Sequence, residues 1–265
     1  MHNRQNTGFT TLELLAVAAT VTLLAALLIP GLRKARALVH EQACASNLRS
    51  WGAGFLLYAA DHEGYLPHPD GRERNPTPGE PDPGHPEHEQ GYMDMIPPYL
   101  GEQPWRDYPP GQKPTRSIWQ CAAARTGPDA AYNYRPSTDG FFSYAMNSYL
   151  AHDFPFGLPW NVSPQPSFLA LSKCTAPAQT ILLFEQTLDP AQGNGQAGGL
   201  KTAGFFGAED PRALTERHAH TLGGPGGNVL HLDGHMSWRN DLWDRTLRNP
   251  RIPARGDPTW FPYPY

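Results

Sequence analysis

Gly8-Phe9-Thr10-Thr11-Leu12-Glu13, continued by an almost unbroken run of Leu, Ala and Val to Ile29, is the stretch that decides how this chain is organised. From Phe9 the run is about 21 residues long. At about 1.5 Å per residue, a helix of that length crosses a hydrocarbon core of about 30 Å. Glu13 is its one charged residue. A carboxylate near the entry of a membrane helix is costly and calls for a nearby cation. Cleavage after Gly8 would supply one, by freeing the α-amino group of Phe9 four residues away on the same helix face. The same amine would be presented to Glu13 of a neighbouring copy.

The leader glycine, aromatic start, spaced glutamate and long apolar run together resemble the class III leader of type IV pilins and type II secretion pseudopilins. The resemblance implies cleavage after Gly8 by a prepilin peptidase/N-methyltransferase, N-methylation of Phe9, and use of Glu13 in assembly. Pro30 falls where many such pilins carry a helix-kinking proline. The implied location is an inner membrane, spanned once, with the C-terminal domain in the periplasm.

Other readings of the same stretch exist. A secretory signal peptide cut after Ala35-Arg36-Ala37 has the small-x-small form. Its apolar region, however, would be too long, would contain Glu13, and would be followed by Arg33, Lys34 and Arg36. A plain uncleaved anchor leaves Gly8 and Glu13 unexplained. A count of flanking cations alone, Arg4 against Arg33, Lys34 and Arg36, places the domain in the cytoplasm, opposite to the orientation the leader resemblance implies.

The 265 residues accommodate one anchor and one domain, divided as leader 1–8, membrane helix 9–29, amphipathic helix 30–60 and globular domain 61–265. Apolar residues make up 39%, and 26 Gly with 29 Pro point to a loop-rich domain rather than wholesale disorder. A net charge of -4 gives no electrostatic case for nucleic acid.

After Pro30 the helical pattern resumes. Cys44, Leu48, Trp51, Phe55 and Tyr58 recur at helical spacing as one apolar stripe, with Glu41, Gln42 and Arg49 off it. The missing amide of Pro30 predicts a bend without an end. The helix is expected to stop near Asp61-His62-Glu63-Gly64, with Gly64 left-handed. The elements Cys44-Ala45-Ser46-Asn47-Leu48, Tyr58-Ala59-Ala60-Asp61, Gly64 and Pro67 are similar to prepilin-type proteins abundant in planctomycetes and verrucomicrobia, as is Ser143-Tyr144-Ala145-Met146-Asn147.

Residues 67–90, with seven prolines, read as a surface loop, and residues 189–209 as a glycine-rich one. Tyr92 to Leu100 predicts a short helix. Ser117 to Cys121, Phe141 to Leu150 and Thr180 to Glu185 predict strands. Asn228 to Trp238 predicts a hairpin about Asp233-Gly234. A two-residue turn would mix its faces, whereas a three-residue loop, Leu232-Asp233-Gly234 with Gly234 left-handed, gathers Leu230, Met236 and Trp238 on one face. That register sets His231 opposite His235.

The same region resembles the C-terminal signature of that prepilin-type family, in Arg217-His218, Gly223-Gly224, Gly226-Gly227-Asn228 and Asp233-Gly234-His235. The spacing departs from the family pattern, because 14 residues follow His218 and 12 follow His220 before Asp233. His218, His220, His231, Asp233 and His235 are candidate zinc ligands by type. An Asp-Gly turn and chance adjacency among 11 histidines account for them without a metal. Calcium is possible by analogy with major pseudopilins, although no oxygen-rich loop has recognisable ligand spacing. His62, His68, His85 and His88 read as solvated loop residues.

Cys44 on the helix stripe can reach Cys121 on a strand, tying helix to sheet and leaving Cys174 unpaired. A Cys121–Cys174 pairing stays open. No nucleophile elbow, phosphate loop, dinucleotide fingerprint or His-Glu-x-x-His is present, so no enzyme is expected. Trp160, Trp243, Trp260, Phe261, Tyr263 and Tyr265 read as a tail packed over the sheet, or else as a stacking surface.

The expected fold is α+β: a long bent N-terminal helix, half transmembrane and half amphipathic, on a small antiparallel sheet with long Pro/Gly-rich loops. The expected role is a pilin-like or pseudopilin-like subunit whose partners are other such subunits. The alternative is an inner-membrane-anchored periplasmic binding module for polysaccharide or metal, and a hydrolase is a third.

Overall fold

The structure, a computed structural model, describes residues 10–67, 91–107, 117–124, 143–150, 169–186, 207–208, 213–220, 224–240 and 257–262. The expected leader with Phe9, the 67–90 loop beyond Pro67 and nearly all of 189–209 lie outside these residues. The chain divides into two units, Met1–Val39 and His40–Tyr265.

A single helix, α1 (Thr11–Asp61), contains Pro30 without ending there. In the first unit its apolar side chains stand exposed, from Leu12 at 78% through Leu27 at 72% to Val39 at 65%. This segment is long and apolar enough to cross a membrane. In the second unit the predicted stripe is buried throughout, at Cys44, Leu48, Trp51, Phe55 and Tyr58. Glu41, expected off the stripe, is buried too. It lies three residues before Cys44 and four before Ala45, so the stripe is a full turn longer than its apolar members indicate.

The helix ends in a Schellman-type cap. The Gly64 amide donates to the Ala59 carbonyl at 2.7 Å, and the left-handed residue at the cap is Glu63, with φ 55°, followed by Gly64 at 85°.

Two short helical pieces follow, α2 (Tyr92–Met95) and a 3-10 turn at Pro97–Leu100, as the sequence predicts for this stretch. Ile96 between them packs against α1 at Gly54, where an added Cβ would lie 2.6 Å from the Ile96 Cγ2. Trp51 sits edge-on to both Tyr92 and Trp119, at centroid distances of 5.6 and 5.3 Å.

Ser117 to Cys121 is not a strand. It forms a 3-10 turn at Ser117–Trp119 that leads into Cys121. Two of its carbonyls are taken by helix side chains, with the Trp51 indole donating to Ile118 O at 2.7 Å and Asn47 Nδ2 to Gln120 O at 3.2 Å, while Trp119 O accepts from the Ser143 amide at 3.0 Å.

The sheet comprises β1 (Tyr144–Asn147), β2 (Ile181–Glu185), β3 (Gly207–Ala208), β4 (His218–His220), β5 (Gly224–His231) and β6 (Met236–Arg239). The order is β3-β1-β2-β5-β4, with β6 also on β5. All pairs are antiparallel except β1 with the two-residue β3. Of the predicted strand Phe141 to Leu150, Tyr144–Asn147 is extended and Ser148–Leu150 turns as a 3-10 helix, while residues 141–142 lie outside the described residues.

β2 is buried at every position, as expected of a central strand covered on both faces. Its side chains do not simply alternate. Leu182 and Leu183 join the core that holds the α1 stripe, whereas Ile181 and Phe184 join a second core with Val229, Trp260 and Phe261. A register shift between Ile181 and Leu183 explains the break, since one extra residue turns the strand over.

Trp260 and Phe261 are therefore tail residues packed on the sheet, with Trp260 edge-on to Phe184 at 5.8 Å. Trp160, Trp243, Tyr263 and Tyr265 lie outside the described residues.

Candidate functional site

In the first turn of α1, Thr10 Oγ1 accepts from the Glu13 amide at 3.3 Å, while Glu13 Oε2 accepts from the Thr10 amide and hydroxyl at 2.8 and 2.9 Å. This reciprocal pattern is a capping box, written in the sequence as Thr-x-x-Glu. Glu13 thus has a local role in starting the helix besides any role in assembly. Gly8 and Phe9 lie outside the described residues.

The motifs on α1 and β1 meet in the domain interior. Asn47 Nδ2 donates to the Tyr144 hydroxyl at 3.1 Å. Burial drives the Tyr144 phenol far above its ordinary pKa, so it stays neutral. Asn147 Nδ2 donates to the carbonyls of Ile181 and Trp260 at 3.0 and 2.8 Å, and its Oδ1 accepts from the Tyr149 amide at 3.1 Å. The Ser-Tyr-x-x-Asn element therefore acts structurally: Tyr144 faces the helix while Asn147 stitches β1 to β2 and to the tail.

Cys44 and Cys121 form the disulfide, with Cα atoms 4.9 Å apart. Cys174 is a free thiol, its pKa raised by burial. The pairing is the first of the two foreseen, but Cys121 lies after the 3-10 turn and not on a strand, so the bond ties the helix to that turn and not to the sheet.

His218 and the carboxylate of Glu185 lie against the disulfide. Glu185 is fully buried at the end of β2, and His218 is 3% exposed. His218 Nε2 lies 3.1 Å from Glu185 Oε1 and 3.3 Å from Cys121 Sγ. Glu185 Oε2 accepts from the Asn228 amide at 2.8 Å and from its side-chain Nδ2 at 3.3 Å. Here β5 has parted from β2, and the Glu185 carbonyl accepts from the Thr215 amide at 2.9 Å. The carboxylate thus takes over a ladder acceptor that β2 no longer offers.

The hairpin has the predicted register. Leu230 opposes Met236 and Asn228 opposes Trp238, with Gly234 left-handed at φ 88°. His231 and His235 stack face to face, with centroids 4.2 Å apart and planes 3° from parallel. His231 is held by the Gln179 carbonyl at Nδ1, 3.2 Å, and by Ser237 Oγ at Nε2, 2.7 Å. His235 Nδ1 pairs with Asp233 at 2.6 Å.

The five candidate ligands therefore do not converge. His218 pairs across β5 with Gly226, five residues before His231, which is about 16 Å along a strand. The His220 side chain lies outside the described residues. Each ring nitrogen of His231 already has a partner.

Burial first, then the neighbouring His235, push the His231 pKa from 6.5 down to about 4, opposed by the Gln179 carbonyl, with a lesser lowering from Arg239 and raising from Asp233. The folded domain holds the ring neutral where the unfolded chain would bind a proton. This contribution to stability is intact above pH 6.5 and is lost as the pH falls toward 4. Urea midpoints of the wild type at pH 7 and 4.5 are expected to differ more than those of His231→Gln. Equal differences would remove His231 as a source of acid sensitivity.

Glu185 carries no motif, and Asn228, although part of the Gly226-Gly227-Asn228 element, was not foreseen as a site residue. The available signal was an acid closing the apolar run Ile181-Leu182-Leu183-Phe184. His62, expected to be solvated, is half-buried and stacks on Tyr58 with centroids 3.8 Å apart, whereas His68, His85 and His88 lie outside the described residues.

Compared with family models, curated proteins and solved structures, the chain matches none.

Proposed function

We propose that this chain is a pilin-like structural subunit, cleaved after Gly8 and N-methylated at Phe9. It sits in an inner membrane with the His40–Tyr265 unit in the periplasm, and assembles through its N-terminal helix into a type IV pilus or a type II secretion pseudopilus. Its partners are the prepilin peptidase/N-methyltransferase and other pilin-like subunits.

The observation that carries this reading is the surface of the first unit. Leu12, Leu15, Val21, Leu24, Leu28 and Leu32 all stand exposed around the helix, and a helix apolar on every side requires lipid or other helices as surroundings. The same helix then enters a folded domain through its buried stripe. One continuous element thereby joins a membrane or fibre core to a surface domain.

Both capping bonds of Glu13 fall on Oε2. In the proposed fibre, Oε1 meets the Phe9 amine of a neighbour. Glu13→Gln preserves a capping-box side chain while removing the charge, whereas Glu13→Ala removes both. Both variants are expected to be cleaved normally and to enter fibres at least tenfold less well than wild type. Wild-type incorporation of Glu13→Gln would overturn the charge-pairing mechanism, and failure of Glu13→Ala alone would assign Glu13 to helix capping.

A further inference from the structure

Four side chains from four separate segments converge beneath the sheet: Cys44 from α1, Cys121 from the turn after Trp119, Glu185 from β2 and His218 from β4. Their sulfur, carboxylate and imidazole atoms all lie within 4.8 Å of one another, and all four residues are buried. We propose that this cluster has two states: a disulfide when oxidised, and, once a dithiol reductant has opened the Cys44–Cys121 bond, a tetrahedral site for one Zn2+.

Two thiolates, one imidazole and one carboxylate oxygen are all zinc ligands by type, and four of them close a tetrahedral site. A tetrahedron with Zn–S near 2.3 Å and Zn–N or Zn–O near 2.0 Å has edges of roughly 3.3–3.8 Å. His218 Nε2 is already 3.3 Å from Cys121 Sγ and 3.1 Å from Glu185 Oε1. The main movement required is separation of the two sulfurs after reduction.

The surrounding groups fit as well. The Asn228 amide and side chain hold Glu185 by Oε2, which leaves Oε1 directed at the cluster. The Ala122 amide lies 3.1 Å from Cys44 Sγ, in position to donate to a thiolate. Two soft thiolates favour Zn2+ over Ca2+ or Mg2+.

The chemistry balances. The dithiol gives two electrons and two protons to the Cys44–Cys121 bond and becomes a disulfide. Zn2+ then displaces the two thiol protons to solvent, and His218 binds through Nε2 with its ring hydrogen on Nδ1. The metal replaces the covalent link between the helix and the turn at Cys121, and through Glu185 and His218 extends the tie to β2 and β4. This site shares only His218 with the histidine group suggested by the sequence, and it is independent of the fibre proposal.

The test uses the full chain in detergent and Co2+ as the probe. One sample is oxidised; the other is reduced with dithiothreitol and freed of it by anaerobic gel filtration. The reduced chain is expected to bind one Co2+ with thiolate-to-cobalt charge-transfer absorption and intense tetrahedral visible bands, displaced by Zn2+, and the oxidised chain to show neither. His218→Gln is expected to weaken binding at least tenfold, and Cys174→Ser to leave it unchanged. Absence of the bands in reduced wild type overturns the proposal without reference to any variant. So does a signal that survives Cys44→Ser or is lost in Cys174→Ser.

Discussion

Replacing Glu185 with alanine is expected to destabilise the domain by about 2–4 kcal/mol, since each buried donor left without its acceptor costs about 1–3 kcal/mol. The carboxylate is fully buried and accepts from the Asn228 amide and side chain on one oxygen while facing His218 on the other. Alanine leaves that amide and imidazole buried without their carboxylate acceptor, at a point where β5 has already parted from β2 and the Glu185 carbonyl is taken by the Thr215 amide. Glu185→Gln, which retains an acceptor oxygen, is expected to lose less. Guanidinium unfolding of the full chain in detergent, followed by tryptophan fluorescence, measures both. A loss under 1 kcal/mol for Glu185→Ala would mean that water or a shifted strand satisfies these donors, and the carboxylate would cease to be a structural keystone of the β2–β5 junction.

Cys44→Ser is expected to have an effect of similar size. The disulfide closes a segment with a sequence separation of 77, and the chain-entropy relation for a loop of that length gives about 4.5 kcal/mol at 25 °C. Cys44 is also fully buried in the core, so serine adds a hydroxyl to an apolar site. Treating the wild type with a reductant in the absence of metal should reproduce most of the shift in the unfolding midpoint. Cys174→Ser should shift it little, because that thiol is not in the bond. A reductant-insensitive midpoint would show that the helix is held to the turn at Cys121 by packing alone.

The helix, its stripe and the hairpin register were legible because each rests on a local period. Heptad-like spacing identified Cys44, Leu48, Trp51, Phe55 and Tyr58. The need to gather Leu230, Met236 and Trp238 on one face selected the three-residue loop. Ser117 to Cys121 was misread because Ile118, Trp119 and Cys121 have strand-like composition, whereas the Ile118 and Gln120 carbonyls are satisfied by Trp51 and Asn47 from a helix about 70 residues earlier. Glu41 was misplaced for a related reason, since a charged residue at a stripe position reads as surface until its burial is known. The candidate metal residues failed to converge because β5 is long: His218 joins its beginning and His231 lies at its end. Glu185 carried no motif, and its partners come from elements far away in the chain.

The central claim is that this chain is processed and assembled as a pilin. The intact mass and N-terminal peptide of the protein recovered from its native membrane test it most directly. The account predicts a chain that begins at N-methylated Phe9. A chain that begins at Met1, or at Leu38 after cleavage behind Ala37, would contradict it and leave a tethered or released domain in place of a fibre subunit.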